Sequence, residues 1–451
     1  MPMVSRSKDC RRPNCCCWTA DVTAIQIYPP IVDSLATLLA RVLRFEGPAD
    51  AAMSRHFKAD RSLGARDRSI VAEATFDALR RLASLRWMLQ TADPVRAPRL
   101  AALVELARLH GIDSLGSRLM RGDERAVRGA LAMDLQRAPA AVRAEMPMWL
   151  FQRITSQYHD AGTLFEALTQ SAPLDLRVNS IKAQREQILA QFDAVRRADG
   201  ALDARPTRYS PDGIRLREKP ALMRWPMYKD GSIEIQDEGS QLVTRLLAPR
   251  RGQMVVDFCA GAGGKTLAIG SLMRSSGRIY AFDINAKRLA GLGPRLARSG
   301  LSNVQPAAIR GVTDTRVKRL AGKIDRVLVD APCSGCGTLR RNPDLKWRFD
   351  EVELERLVQV QSEVLEGAAR LLKPGGRLVY ATCSLLAAEN QGVVEAFVAE
   401  HPQFAVVDAV DVLQAQSIHI EHAERFAPWF VMLPHLHETD GFFAAVLERR
   451  V

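Results

Sequence analysis

The chain has 451 residues and a net charge of +12, with 47% hydrophobic and 25% charged residues. These proportions are ordinary for a globular protein, and the length leaves room for two or three domains. The Arg-dominated excess favours a polyanionic partner, nucleic acid before a membrane surface, over the blander reading of a GC-rich coding sequence.

Residues 1–28 hold Cys10, Cys15, Cys16 and Cys17 among charged residues, with no continuous apolar segment. They read as a disordered extension and not as a secretory signal. Three adjacent cysteines without a nearby His make a poor metal site, so no metal is expected. No run of about 18 apolar residues occurs anywhere, so no membrane span is expected either.

Residues 29–160 read as a bundle of short helices. Ile31, Leu35, Leu38, Leu39 and Val42 follow a 3.6-residue period, and Gly47, Pro48, Pro94 and Pro98 punctuate the helical stretches. Arg41, Arg44, Arg61, Arg66, Arg68, Arg80 and Arg81 lie mostly off that stripe, as an RNA-binding face or a merely solvated one. Residues 161–240 change character: 174–179 alternates like a half-buried strand, 182–192 reads as a helix, and 232–237 is strand-like. A small α+β unit fits. From 241 to 451, strands and helices alternate as in a doubly wound, mostly parallel α/β domain.

In that last unit the apolar run 254–258 leads into Cys259-Ala260-Gly261-Ala262-Gly263-Gly264-Lys265-Thr266 and a helix. Small residues let the backbone turn sharply and approach a ligand. Asp283 ends the following strand, where an acid accepts hydrogen bonds from ribose hydroxyls. Gly264-Lys265-Thr266 resembles a phosphate loop, but Cys259 stands where its first glycine is required. S-adenosylmethionine keeps the ribose and lacks the phosphates. The carboxylates Asp257, Asp283 and Asp330 suit its sulfonium, which favours a methyltransferase.

Two cysteines carry the chemistry. Asp330-Ala331-Pro332-Cys333-Ser334-Gly335 and Ala381-Thr382-Cys383-Ser384 each close a short apolar run that reads as a buried strand. Two thiols at neighbouring strand ends suit covalent catalysis in which one attacks and the other assists, although buried inert cysteines are the commoner case. Methylating cytosine C5 needs a thiolate that adds to C6, a second acid/base group, and an acid near N3. Cys383, Cys333 and Asp330 supply those types. Cys333 and Cys336 also mimic a CxxC pair, but no second such pair or His pair stands nearby.

These motifs, with 340–347 (Arg-Arg-Asn-Pro-Asp-Leu-Lys-Trp), 236–241 and Asp440-Gly441-Phe442-Phe443, resemble the RNA (cytosine-5) methyltransferases of the RsmB/Nop/Sun family. The resemblance spans about 230–450, and the helical part is similar to the NusB-like domain of the bacterial RsmB branch. It implies a Rossmann-like S-adenosylmethionine methyltransferase domain behind an all-α NusB-like domain and a small RNA-recognition subdomain. It assigns Cys383 as nucleophile and Cys333 to product release. It implies cofactor contacts from Cys259 through Lys265 and from Asp283 and Asp330, with Asp314 as a displaced third acid. Arg177, Asn179 and Lys182 fall on the family's RNA-side strand, as RNA contacts or as a solvated strand edge. A cytoplasmic monomer acting on ribosomal RNA is expected. The alternatives are transfer RNA or a noncatalytic RNA-binding assembly factor. Lys346 and Trp347 are read as RNA contacts or, for Trp347, as packing under the active-site loop. His435 and His437 are read as surface loop residues.

Overall fold

The computed structural model describes residues 26–90, 93–199 and 202–451, and the cysteine-rich start lies outside the described residues. Helices Pro29–Val42, Ala65–Arg80 and Pro98–His110 pack around one apolar core. The periodic stripe is the buried face of the first helix, with Ile31, Leu35, Leu38 and Leu39 at 0% exposure. Each such burial contributes about 1.5–3 kcal/mol, so the stripe decides how the helix packs. Pro29 and Pro98 occupy first-turn positions, where the missing N–H breaks no helical bond. The described residues 26–28 depart from the expected extension. Ile27 is buried, and its N–H donates to Ser114 O at 3.1 Å.

Four strands, β1 (Leu174–Val178), β2 (Ala204–Pro206), β3 (Gly213–Leu216) and β4 (Ile233–Ile235), form an antiparallel sheet in the order β2-β3-β1-β4. The helix Arg185–Asp199 covers it through Ile188 and Phe192. That helix begins later than residue 182. The Asn179 carbonyl first closes a turn by accepting the N–H groups of Lys182 and Ala183, at 2.8 and 3.1 Å.

The second sheet contains β5 (Met254–Asp257), β6 (Arg278–Asp283), β7 (Val304–Ala308), β8 (Ile324–Asp330), β9 (Leu372–Thr382), β10 (Phe404–Val407), β11 (Phe430–Met432) and β12 (Phe442–Arg449). Their order is β10-β12-β9-β8-β5-β6-β7, with β11 beside β12. β5 to β9 run parallel, and β12 inserts antiparallel between β9 and β10. This is the doubly wound sheet that the alternating pattern implies. The chain steps outward from β5 to β7 and then returns to β8 on the other flank of β5. Ligands of open α/β sheets bind at such a reversal, beyond the strands' carboxyl ends. β8 and β9 lie side by side, with Asp330 opposite Ala381.

The segment after the first cysteine loop docks into the helical bundle. Trp347 Nε1 donates to Leu79 O at 2.9 Å, and Lys346 Nζ donates to Arg80 O at 2.8 Å. Asp344 accepts the Ala49 N–H at 3.3 Å. Lys346 is therefore not offered to RNA, and Trp347 packs against the bundle core and not under the active-site loop. Arg80 is half-buried in this seam, with Nη2 on Arg340 O at 3.4 Å, and so leaves the solvated basic face expected of it. The two histidines also depart from the surface reading. His437 is fully buried, with Nδ1 accepting the Leu433 N–H and Nε2 at 2.9 Å from Glu421 O, while His435 lies 3.0 Å from Asp160.

Candidate active site

β5 delivers Asp257 to the switch point, where its Oδ2 accepts the Thr266 hydroxyl at 2.6 Å. Burial pushes the Asp257 carboxyl up to about 7 against the pull of that hydrogen bond. The loop that follows turns through Gly261 and Gly263 at φ of 54° and 84°. A Cβ at Gly263 would stand 2.2 Å from Leu292 Cδ1, so this approach requires glycine. Asp283, at the end of β6, accepts the N–H groups of Gly261 and Asn285, each at 2.7 Å. The loop is thereby fixed before any ligand enters. Lys265 Nζ reaches across to Asp330 Oδ2 at 2.8 Å. Burial alone would lower the pKa of Lys265, but Asp330 beside it raises the net value above that of an ordinary lysine.

A cleft of about 350 Å³ opens here, lined by Cys259, Ala260, Gly261, Ala262, Gly264 and Lys265 of the loop and by Asp257 and Asp330 from the strand ends. Beyond the Lys265–Asp330 pair, the sulfurs of Cys333 and Cys383 lie 3.4 Å apart. Their hydrogen bond and their burial push the Cys333 thiol well up, so Cys333 holds its proton. The two thiols are neighbours because β8 and β9 are. Gly337 locks the arrangement. Its N–H donates to Cys383 O at 2.9 Å, and a Cβ there would stand 2.2 Å from Gly441 O.

Residues 244–448 match the family model for 16S rRNA methyltransferase RsmB/F, and residues 146–222 match the ferredoxin-like domain of RsmF/B-like methyltransferases. The probable ribosomal RNA small subunit methyltransferase B of Synechocystis sp. is 32% identical over 359 residues, 77% of each chain. Ribosomal RNA small subunit methyltransferase B of Sodalis glossinidius is 30% identical over 416 residues, 85% of this chain and 90% of its own. The crystal structure of PH0851 aligns with a TM-score of 0.76 at 25% identity, over 94% of this chain and 100% of its own. A methyltransferase homologue from Pyrococcus horikoshii aligns with a TM-score of 0.57 at 26% identity, over 69% and 97%. The chain belongs to the RsmB/F methyltransferase family.

In this RsmB/F member, other residues expected at the site lie elsewhere. Asp314 is outside the cleft lining and caps the short helix Thr315–Lys318, accepting the N–H groups of Arg310 and Arg316 at 3.0 and 2.8 Å. Those amide bonds hold its carboxyl below the usual range. Arg177 is buried with Nε on Gln236 at 2.7 Å, and Asn179 is buried against Gly231 O and Ser299 O. Lys182 is exposed, but its Nζ is held by Asp230 O and Arg298 O at 2.5 and 2.6 Å. Asn179 and Lys182 therefore tie the small sheet to the RsmB/F domain, and the buried Asn179 amide is not offered to RNA. Cys336 sits in the apolar core, where burial and Glu389 push its thiol up to about 12.

Arg288 and Glu389 are among the residues of the RsmB/F site that escaped the sequence reading. Arg288 lines the cleft, close enough that a Cβ on Gly261 would stand 2.8 Å from its Nη2. Its only signal was a cation one helical turn past an acidic strand end. Glu389 is fully buried between the two cysteine loops and accepts from Ser334, Ser384 and Gln361. An acid closing the apolar run 385–388 marked it, though not its partners.

Proposed function

We propose that this protein transfers a methyl group from S-adenosylmethionine to C5 of a cytosine in 16S ribosomal RNA, with Cys383 as the covalent nucleophile. One observation carries the reading: two thiols 3.4 Å apart at adjacent strand ends, beside the Lys265–Asp330 pair. The cleft residues suit S-adenosylmethionine. Its volume of about 350 Å³ falls in the range of small-molecule sites, its glycine loop admits a close backbone approach, and Asp257 and Asp330 on its wall favour a sulfonium. When bound, that group supplies the electrophilic methyl. The alternatives, transfer RNA or a noncatalytic assembly role, lack an observation in their favour.

Cytosine C5 is a weak nucleophile until C6 is substituted. Cys383 Sγ, as thiolate, forms a bond to C6 and pushes the ring electrons towards C5 and N3. Asp330, with the Lys265 ammonium 2.8 Å from it, is the acid proposed to meet the polarity that develops at N3. After C5 has gained the methyl, the C5 proton passes to solvent water, the C–H electron pair restores the C5–C6 double bond, and Cys383 Sγ leaves as the thiolate. Cys333, which keeps its proton beside Cys383, first steadies the thiolate and then assists release. The target base must be single-stranded or flipped to enter the cleft.

The test is methyl transfer from labelled S-adenosylmethionine to unmethylated 16S ribosomal RNA. Cys383→Ala is expected to be inactive. Cys333→Ala is expected to accumulate a protein–RNA adduct that survives denaturation. Transfer by Cys383→Ala would show that the nucleophile is misassigned. No transfer by the wild type to 16S or transfer RNA would favour the noncatalytic reading.

A further inference from the structure

A second, larger depression lies outside the cleft just described. Its volume is about 830 Å³, and it forms where the β2–β3 edge of the small sheet meets the linker 171–173 and the loop that follows Cys333. Six cations line it (Arg205, Arg208, Arg215, Arg217, Lys219 and Arg340) against only two carboxylates, Asp203 and Glu438. Some of that charge is answered within the protein. Arg205 pairs with Asp203 at 2.9 Å, Arg208 with Glu421, and Arg215 with Asp175 at 2.8 Å and Glu438 at 3.2 Å. Lys219 and Arg340 have no carboxylate within salt-bridge reach among the described residues. Lys219 bonds the Ser171 hydroxyl, at 2.6 Å, while Arg340 bonds the carbonyls of Glu438 and Thr439, each at 3.3 Å. Arg340 is 8% exposed, and its Nε has no hydrogen-bond partner. Partial burial and the neighbouring Arg80, Arg341 and Arg340 guanidinium groups pull the Lys219 pKa below the ordinary lysine value. Lys219 and Arg340, held only by a hydroxyl and by carbonyls, are set up for an external anion.

The depression and the cleft are neighbours along the chain. Arg340 and Arg341 are consecutive, with Cα atoms about 3.8 Å apart. Arg340 lines the depression, whereas Arg341 lines the cleft and is fixed there by Asp237 at 3.0 Å and Asp440 at 2.5 Å. A polymer with one unit in the cleft would reach the depression by crossing this pair of residues. A linear polyanion with regularly spaced charges meets that requirement.

From these observations we infer that the depression holds backbone phosphates of the RNA strand flanking the base presented to the cleft. Lys219 and Arg340 meet the phosphate oxygens there. The inference rests on the proposed RNA methyltransferase activity and adds the path of the strand. It assigns positioning and not base readout, because ammonium and guanidinium groups on phosphates carry no sequence information.

The test uses the full chain carrying Lys219→Glu, an exposed position beyond β3. A second variant, Arg125→Glu, on the exposed face of the bundle helix Glu124–Leu131, serves as a charge control. Affinity for a 16S ribosomal RNA fragment is measured against salt, and S-adenosylhomocysteine titration checks that the cleft is intact. The groove variant is expected to bind RNA about fivefold more weakly, with a log K versus log salt slope reduced by about 1, for the one phosphate no longer neutralised. Its S-adenosylhomocysteine affinity is expected to stay at the wild-type value, and Arg125→Glu to bind RNA normally. Wild-type RNA affinity and slope in the groove variant would overturn the inference. So would loss of polyglutamate binding with RNA binding intact, which would make the groove a site for an acidic peptide. If the wild type binds neither RNA nor S-adenosylhomocysteine, the activity itself is misread and the inference falls with it.

Discussion

The carboxylate of Glu389 accepts both the N–H and the hydroxyl of Ser334, at 2.7 and 2.5 Å. It also accepts Ser384 Oγ, and Gln361 Nε2 at 2.9 Å. Ser334 and Ser384 each follow a site cysteine directly, so one buried carboxylate sets the spacing of both thiols.

Glu389→Gln keeps the shape but leaves one acceptor oxygen for four donors. Leaving a buried donor unmatched costs about 1–3 kcal/mol. Misplacing reacting groups by about an ångström costs up to about a hundredfold in rate. The variant is expected to fold, with methyl transfer reduced by about ten- to a hundredfold and S-adenosylhomocysteine affinity retained. Transfer at the wild-type rate would remove Glu389 from the positioning role.

Asp257→Asn is expected to change how stability depends on pH. The native pKa of Asp257, raised to about 7, exceeds the unfolded value of 3.8. Between those values the native state binds more protons than the unfolded one, so this group's contribution to stability falls as pH rises and levels off above 7. The full shift corresponds to about 4 kcal/mol at most. Without ligand, the variant is expected to gain Tm over wild type at pH 8 and to lose that advantage at pH 4, as differential scanning calorimetry would show.

Lys346→Met reports the opposite slope. Burial first, with Arg80 and Arg81 adding to it, lowers the Lys346 pKa to about 7 from 10.5. Above pH 7 the unfolded state binds the extra proton, so the lysine's contribution improves between pH 7 and 10.5. Wild type is expected to gain stability from Lys346 over that window and the Met variant to lack the gain. Parallel urea midpoints for both proteins from pH 7 to 9.5 would refute it.

Asn179→Ala separates an interdomain tie from an RNA contact. The side chain bridges Gly231 O at 3.0 Å and Ser299 O at 2.8 Å. Losing it is expected to lower unfolding free energy by about 1–3 kcal/mol while RNA affinity at 10 °C stays at the wild-type value. A selective loss of RNA affinity would restore the RNA-contact reading.

The contrast between residues that were legible and residues that were not has a physical origin. β5, β6, β8 and β9 announce themselves because strands buried on both faces need continuous apolar runs, and the motifs at their ends inherit a known position. Cys333, Cys383, Lys265 and Asp330 converge for that reason. Arg177, Asn179 and Lys182 look like free polar groups on a strand edge. Their partners Gln236, Gly231 and Arg298 come from 52 to 116 residues further along, which no local pattern encodes. The same distance hides the seating of Trp347 on Leu79 and the burial of His437. Asp314 had the right residue type, but the amides of the next turn claim its carboxylate.

The closure of the thiol loops by β12 sets an order in time. Gly441, just before Phe442, donates its N–H to Gly337 O at 2.8 Å, and Gly337 in turn donates to Cys383 O. Phe442 lies 59 residues after Cys383 (442 − 383). At translation rates of about 5–20 residues per second, a nascent chain carries both sulfurs for about 3–12 s before the strand that joins their loops has been made. Through that interval the cysteines are ordinary thiols on an unfinished sheet edge, and the site comes into being with its closing strand.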